Sequence, residues 1–104
     1  MSKANAKKIA ERFGAKLKAA NYPFSALYLF GSYAVGTPHK GSDIDIAVLS
    51  DKLKKNWNEN EELLWKLGVE VDCRIEPIGF TPEDFENEID PMVREVKKTG
   101  IRVG

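Results

Sequence analysis

Residues 28–49 read YLFGSYAVGTPHKGSDIDIAVL, and this stretch decides the fold. It joins two apolar runs, Ala26–Phe30 and Ile44–Leu49, which are rich in Leu, Ile, Val and aromatic residues. Such residues favour β-strands, so two strands are predicted. Gly31-Ser32 follows the first run directly, at a position where a strand can turn into a helix. Residues 36–42 read GTPHKGS, and their two glycines and one proline are typical of a loop.

Two carboxylates stand at the start of the second predicted strand. Residues i and i+2 of a strand lie on the same face, so Asp43 and Asp45 are predicted to point the same way. Carboxylates held side by side repel each other unless a cation lies between them. Proteins usually hold Mg²⁺ with one or two carboxylates plus substrate phosphates. The pair therefore predicts a magnesium site.

The turn after the first strand has the features of a phosphate site. Gly31 has no Cβ, so a phosphate can approach the backbone closely. The first N–H groups of a following helix point outward and attract anions. The Ser32 hydroxyl can donate one more hydrogen bond. A phosphate-binding turn and a metal-binding pair would then face each other, which is the arrangement that nucleotide chemistry needs.

Gly31-Ser32, ten further residues and Asp43-Ile44-Asp45 together resemble the signature of the nucleotidyltransferase superfamily typified by DNA polymerase beta. The short chain resembles its minimal branch, the small stand-alone nucleotidyltransferases of bacteria and archaea. The resemblance covers nearly the whole chain. It implies an α/β (α+β) fold, with a small mixed β-sheet of three to four strands flanked by helices. It also implies transfer of a nucleoside monophosphate, AMP from ATP, to a hydroxyl with one or two Mg²⁺ ions.

The chain departs from the family pattern at two positions. Many relatives carry Arg at one or both of the positions held here by Tyr33 and Val35, so less positive charge is expected near the phosphates. Two alternatives to an active enzyme follow. One is a nucleotide-binding regulator that turns over poorly, which the departure favours. The other is a structural partner that masks another protein.

Residues 69–75 read VEVDCRI, and their apolar and polar side chains alternate, which predicts a third strand. The resemblance implies that a third acidic residue comes from this strand, and Asp72 is the matching position. Its expected role is general base toward the acceptor hydroxyl, or ligand of a second metal ion. Glu70 lies on the same predicted face and is the competing candidate. Cys73 is predicted to point into the core with an inert thiol.

Helices are predicted on both sides of these strands. Apolar residues at helical spacing predict an amphipathic helix over residues 2–20. Another is predicted over residues 58–67, with Gly68 as its C-terminal stop. Thr81 and Asp90 each precede a proline, and a capping side chain followed by proline predicts the start of a helix.

Four further residues have both a functional and a structural interpretation. His39 lies between the two motifs, but no second ligand stands at metal-site spacing, so an exposed loop histidine is predicted. Lys40 beside it could meet a phosphate or a partner. Trp57 and Trp65 could stack on a base, but their leucine-rich surroundings favour core or interface packing.

Composition limits the function further. The chain has 104 residues, which predicts one domain over residues 1–104. Lys and Arg number 16, as do Asp and Glu, so the net charge is zero. Balanced charge argues against general binding of nucleic acid, and it lowers the electrostatic barrier to partner binding or homo-oligomer formation.

The single cysteine excludes an internal disulfide. With no signal peptide and no membrane-spanning apolar run, no membrane association and a cytoplasmic location are expected.

The acceptor is expected to come from a partner, because a chain of this length has little surface left over to hold one. The resemblance implies a small helical protein of the HEPN class, often a ribonuclease toxin. The transferase would be its antitoxin and would add AMP to a partner tyrosine. Candidate apolar contacts are Ile101, Val103 and either Trp57 or Trp65. Ile101 and Val103 also fit a short edge strand.

Overall fold

The computed structural model describes residues 2–36 and 43–104. Its centre is a four-stranded sheet in the order β3-β2-β1-β4. The strands are β1 (Ala26–Phe30), β2 (Ile44–Leu49), β3 (Ile75–Phe80) and β4 (Ile101–Arg102). The helices are α1 (Lys3–Ala19), α2 (Ser32–Val35), α3 (Trp57–Val71), α4 (Pro82–Glu86) and α5 (Pro91–Thr99), with a 3-10 turn at Asp51–Lys54. β1 runs antiparallel to β2 and β4, and β2 runs parallel to β3. The predicted mixed sheet flanked by helices is confirmed.

The two faces of the sheet bury different clusters, as alternation along the strands requires. The larger cluster joins the sheet to α1 and α3, and it includes Phe13, Leu17, Leu27, Leu29, Ile44, Ile46 and Leu64. The smaller cluster lies under α5 and includes Phe30, Ala47, Leu49, Phe80, Val93 and Val96. Asp45 alternates with Ile44 and Ile46, so its side chain shares the face of Ala47, on the α5 side.

The third strand was predicted in the wrong place. Residues 69–71 belong to α3, whose buried positions Leu64, Leu67 and Gly68 keep helical spacing. Gly68 does not end the helix. A Cβ on it would lie 3.1 Å from Ile75 Cγ2, so glycine lets α3 pack closely on the sheet. The strand is instead Ile75–Phe80, with Pro77 inside it. Proline is tolerated there because β3 is an edge strand.

The outer edge of β3 leaves few N–H groups for a further strand. Ile44 N–H donates to Arg74 O at 2.8 Å, and Ser50 N–H donates to Phe80 O at 3.0 Å. In a parallel ladder of this register, the backbone N–H and C=O groups of the odd-numbered residues of β3 therefore point away from β2. Pro77 has no N–H, and Gly79 N–H donates to Glu61 Oε1 at 3.1 Å. Using or removing such groups is how proteins protect a sheet edge from pairing.

The C-terminal residues complete the other edge. Ile101 pairs with Leu29 across the antiparallel β1–β4 ladder, and Val103 N–H donates to Leu27 O at 2.9 Å. Ile101 and Val103 both pack against the larger core cluster. The edge-strand interpretation is confirmed at Ile101, and both residues are partly buried rather than exposed. Their contact with a partner stays a prediction.

Three other predictions have clear outcomes. Trp57 and Trp65 are each 41% exposed, so core packing is wrong for both. Cys73 is exposed, not buried. The loop with His39 and Lys40 falls outside the described residues.

Within residues 2–36 and 43–104, no helix is both long and apolar enough to span a membrane.

Candidate active site

The site begins where β1 turns into α2. Gly31 has φ 79° and ψ −157°, a backbone conformation that residues with a Cβ rarely adopt. Its carbonyl accepts the N–H groups of Ala34 at 3.1 Å and Val35 at 3.3 Å, which closes the first turn of the helix. Glycine at this position therefore lets the chain pass directly from strand to helix.

The missing side chain of Gly31 is also what makes room for Asp45. A Cβ built on Gly31 would collide with Asp45 Oδ2 and lie 3.2 Å from Asp45 Cγ. The Asp45 carboxylate thus packs directly on the backbone of the turn. The predicted phosphate turn and the predicted metal-binding aspartates are adjacent in the structure.

A third carboxylate joins the two aspartates, and it comes from β3. The parallel register of β2 and β3 pairs Asp45 with Glu76, so the two side chains share a face of the sheet. Both Asp43 and Asp45 perturb the pKa of Glu76, so the three carboxyls lie close together. Glu95, from α5, adds further negative charge near Asp45. The result is an acidic cluster that we call the carboxylate edge: Asp43, Asp45 and Glu76.

The electrostatics of the carboxylate edge are unfavourable to ionised carboxyls. Partial burial raises the pKa of Asp45 to about 6, with further contributions from the nearby Glu76 and Asp43 carboxylates. Burial and then Asp43 also raise the pKa of Glu76 above its ordinary value. A bound cation would remove this repulsion. The donor set is all oxygen, which suits Mg²⁺.

The carboxylate edge needs ligands from elsewhere to enclose a metal ion. Over residues 2–36 and 43–104, no group of three or more His, Cys, Asp or Glu side chains has the geometry to hold an ion alone. Mg²⁺ is normally completed by substrate phosphates and water. The carboxylates therefore fit an ion that arrives with a nucleotide.

Asp72 does not reach the carboxylate edge, and its assignment as the third carboxylate is corrected. It follows the last residue of α3, where its Oδ1 accepts from Arg74 Nε at 2.9 Å and its Oδ2 from Arg74 Nη2 at 2.7 Å. This ion pair lowers the pKa of Asp72. Glu70, the competing candidate, lies on α3 and pairs with Lys16 at 2.9 Å. Asp72 and Glu70 are therefore each already paired with a basic side chain.

Glu76 is the residue that sequence reasoning missed. The wrong placement of the third strand moved the expected carboxylate to the preceding segment. One signal was available: the apolar spacing of Leu64, Leu67 and Gly68 continues to Val71 without a break. If α3 extends to Val71, the third strand falls on IEPIGF, and the acidic residue of that strand is Glu76.

The two positions that depart from the family pattern contribute no charge. Tyr33 is buried, and Val35 is half-exposed. Ser32 opens α2 beside Gly31 and is partly buried. Its hydrogen bond to a phosphate stays a prediction, as does phosphate binding at Gly31.

Comparison with known proteins identifies the class. A family model described as a nucleotidyltransferase domain matches residues 6–103, and the chain belongs to that family. The protein adenylyltransferase MntA of Shewanella oneidensis is 44% identical over 61 residues, which cover 55% of this chain and 44% of that protein. The chain thus spans less than half the length of this relative.

Solved structures agree with the family. A crystal structure of a toxin–antitoxin with AMP-PNP matches with a TM-score of 0.65 and 30% identity, covering 90% of this chain and 72% of that one. The toxin–antitoxin MntA–HpeT, in a double Asp-to-Glu mutant, matches with a TM-score of 0.65, 28% identity and the same coverage. A nucleotidyltransferase described as putative, from Sulfolobus solfataricus, matches with a TM-score of 0.69 over 96% of this chain and 80% of that one. Its identity is 17%, so it supports the fold alone.

Proposed function

We propose that the protein is a Mg²⁺-dependent nucleotidyltransferase that moves AMP from ATP to a tyrosine hydroxyl of a helical HEPN-type toxin, and so serves as its antitoxin. The observation that carries the chemistry is the carboxylate edge, whose Asp45 packs against the backbone of Gly31. Partly buried carboxylates that repel each other cost stability, and a metal–nucleotide ligand would explain why they are kept.

The chain's own residues divide the work. Asp43 and Asp45 would hold the metal, and the bare backbone at Gly31 would admit the phosphates. Bound Mg²⁺ would neutralise phosphate charge and stabilise the attacking and leaving oxygens. Glu76 would complete the metal site beside Asp43 and Asp45, and its raised pKa suits it to take up the proton of the acceptor hydroxyl. The hydroxyl oxygen bonds to the α-phosphorus as the bond from that phosphorus to the pyrophosphate oxygen breaks, and pyrophosphate leaves.

The comparisons support the nucleotide and the partner. The curated relative is named a protein adenylyltransferase, and one similar structure is a toxin–antitoxin with AMP-PNP. The other toxin–antitoxin carries substitutions at two aspartates two positions apart, the spacing of Asp43 and Asp45. These likenesses favour ATP as the donor and a toxin as the acceptor.

Exposed apolar side chains on α3 offer a surface for that partner. Trp57 and Trp65 are each 41% exposed, and Val69 is 56% exposed. Aromatic side chains are enriched where proteins meet. The tryptophans therefore remain the candidates for the toxin contact, whereas Ile101 and Val103 are used by the chain's own core.

The experiment is co-expression with the product of the adjacent open reading frame, followed by intact-mass measurement of both products. A partner that co-purifies and gains one or more AMP masses supports the proposal, provided the gain disappears in Asp43→Asn and Asp45→Asn. Modification of a small-molecule hydroxyl with no protein acceptor would contradict it.

The same samples test the alternatives. Nucleotide binding without any transfer would indicate the regulator that the uncharged Tyr33 and Val35 favour. A stable complex that neither binds nor transfers nucleotide would indicate a masking partner.

A further inference from the structure

The backbone of a basic residue, Arg74, lies next to the carboxylate edge at the entry to β3. The carbonyl of Arg74 accepts the N–H of Ile44 at 2.8 Å. The register that pairs Ile44 with Ile75 and Asp45 with Glu76 places Arg74 next to Asp43. Because β2 lies between β3 and β1, Arg74 and Gly31 stand on opposite sides of the aspartates.

The guanidinium of Arg74 is held in a fixed orientation. Asp72 binds it through two parallel bonds, from Nε at 2.9 Å and from Nη2 at 2.7 Å. Asp72 is itself fixed, because its Oδ1 also accepts the backbone N–H of Arg74 at 2.9 Å. Such a fork orders the arginine in advance and reduces the entropy lost when it binds a ligand.

The pair leaves donors available for a ligand. A guanidinium has several N–H donors, and the fork to Asp72 uses two of them. The Arg74 side chain is 44% exposed, whereas that of Asp72 is only 15% exposed. The partly buried carboxylate therefore acts as the anchor, and the arginine is the more exposed partner.

The helix that carries the phosphate turn begins at the same end of the sheet as Arg74, because Phe30 pairs with Asp45 and Ile44 pairs with Ile75. The bond to Asp72 is the main cause that raises the pKa of Arg74, and the phenol of Tyr33 adds to it. Tyr33 follows Ser32 in α2. Arg74 thus enters β3 at the end of the sheet that also carries the aspartates and the glycine turn.

A nucleotide bound at the carboxylate edge needs a cation. Its polyphosphate is strongly negative, and the side chains of Asp43, Asp45 and Glu76 are acidic. Arginine is well suited to phosphate oxygens, because its planar fork matches their spacing. Tyr33 and Val35 supply no such charge.

We propose that Arg74 binds the polyphosphate of the nucleotide, and that Asp72 is the positioning residue that holds Arg74 in place. This inference rests on the proposed function, since it concerns the substrate of the same site. It gives Asp72 a role that differs from the third carboxylate expected from the sequence.

The test measures nucleotide affinity and turnover in four variants. Arg74→Gln should raise the KM for ATP by about tenfold or more while kcat at saturating nucleotide changes far less, because a charge-assisted contact is lost in binding. Arg74→Lys should recover part of the loss. Asp72→Asn should raise the KM by a smaller factor, since the arginine remains but is held less firmly.

The matched control is Lys16→Gln, which breaks the neighbouring exposed ion pair between α1 and α3. It should leave the KM unchanged. Calorimetric titration with AMP and ATP sharpens the test. Arg74→Gln should weaken ATP binding much more than AMP binding, because the lost contact is to the polyphosphate.

Two results would overturn the inference. If Arg74→Gln lowers the thermal midpoint but keeps the parent KM, Arg74 merely closes the end of α3. If both Arg74 variants bind ATP like the parent while Asp45→Asn does not, the proposed function stands and the role of Arg74 is wrong. If the unmodified protein binds no ATP, the proposed function is wrong, and this inference is wrong with it.

Discussion

Two groups of acidic residues lie at the same end of the molecule, and their environments are opposite. At the carboxylate edge, burial and neighbouring carboxylates raise the pKa of Asp45 and Glu76. At the end of α3, hydrogen-bonded cations lower the pKa of Asp72 and Glu70. Both groups sit close to the strand entries, so position alone does not separate them. The two groups differ in whether each carboxylate is paired with a cation.

The difference teaches how to recognise the functional carboxylates. A carboxylate with its own cation is satisfied within the chain and needs no ligand. Carboxylates that crowd one another make the folded state less stable, and such arrangements concentrate at functional sites. The variants below test whether the two groups differ in function as they do in environment.

The largest effect is expected at the aspartates. Asp43→Asn or Asp45→Asn should lower transfer on the order of a hundredfold or more, because a charged metal ligand is lost. Without metal, Asp45→Asn should raise the thermal midpoint, since it removes a repelling charge. Rates and melting curves would be measured together, with Asp51→Asn as an exposed control at the other end of the sheet. Loss of stability in Asp45→Asn would contradict this account.

Gly31 and Gly36 form a matched pair for the next effect. Both have positive φ, at 79° and 78°, so alanine should cost about 1 kcal/mol or more of unfolding free energy at either position. Only at Gly31 would the new Cβ collide with Asp45, since none of the described residues, 2–36 and 43–104, comes within 4 Å of a Cβ on Gly36. Gly31→Ala should therefore lose transfer, and Gly36→Ala should lose stability but keep transfer. Equal transfer rates in the two variants would show that the close approach at Gly31 has no function.

A pH effect on stability should follow from Asp45. Its pKa is about 6 in the folded protein, against 3.8 for an unperturbed aspartate. The protonated carboxyl is therefore favoured by folding, and this contribution is fully present below about pH 4 and lost as the pH rises through about 6.

The measurement is the free energy of unfolding in chelator across this range, for the parent and for Asp45→Asn. The parent should lose stability relative to the variant as the pH rises, and the difference should then level off. Asp72 has a lowered pKa, so it changes stability only at more acidic pH. Parallel profiles for the parent and Asp45→Asn would show that the carboxylate edge is not strained.

The smallest effect is expected at the carboxylates that are already paired with a cation at the end of α3. Glu70 and Lys16 form an exposed pair on the surface, and such pairs contribute little. Glu70→Gln should change neither the transfer rate nor the thermal midpoint measurably. A large loss of transfer in this variant would show that a paired carboxylate on α3 takes part in the reaction.

Local signals were enough to predict much of the fold. The apolar runs of β1 and β2, the glycine turn between them and the capped helices all depend on neighbouring residues, and the structure confirms them. The spacing of Gly31, Asp43 and Asp45 predicted one adjacent group, and the structure brings them together. Their roles toward metal and phosphate stay predictions.

The third strand was misplaced because two local patterns compete over residues 69–71, and distant contacts decide between them. The alternation of VEVDCRI suits a strand, but packing of Gly68 near Ile75 and Phe13 favours a longer helix. The place of Glu76 beside Asp45 follows from parallel pairing across that helix. Pro77 weakened the local strand signal, and only its position at the sheet edge makes it acceptable.

The central claim is that the carboxylate edge, and not the end of α3, holds the metal with the nucleotide. The most direct measurement is the Mg²⁺ concentration that gives half-maximal transfer at saturating ATP in Glu76→Gln and Asp72→Asn. We expect Glu76→Gln to raise it by about tenfold or more, as losses of metal-site carboxylates do, and Asp72→Asn to leave it unchanged. A raised Mg²⁺ requirement in Asp72→Asn, with a parental requirement in Glu76→Gln, would contradict the claim.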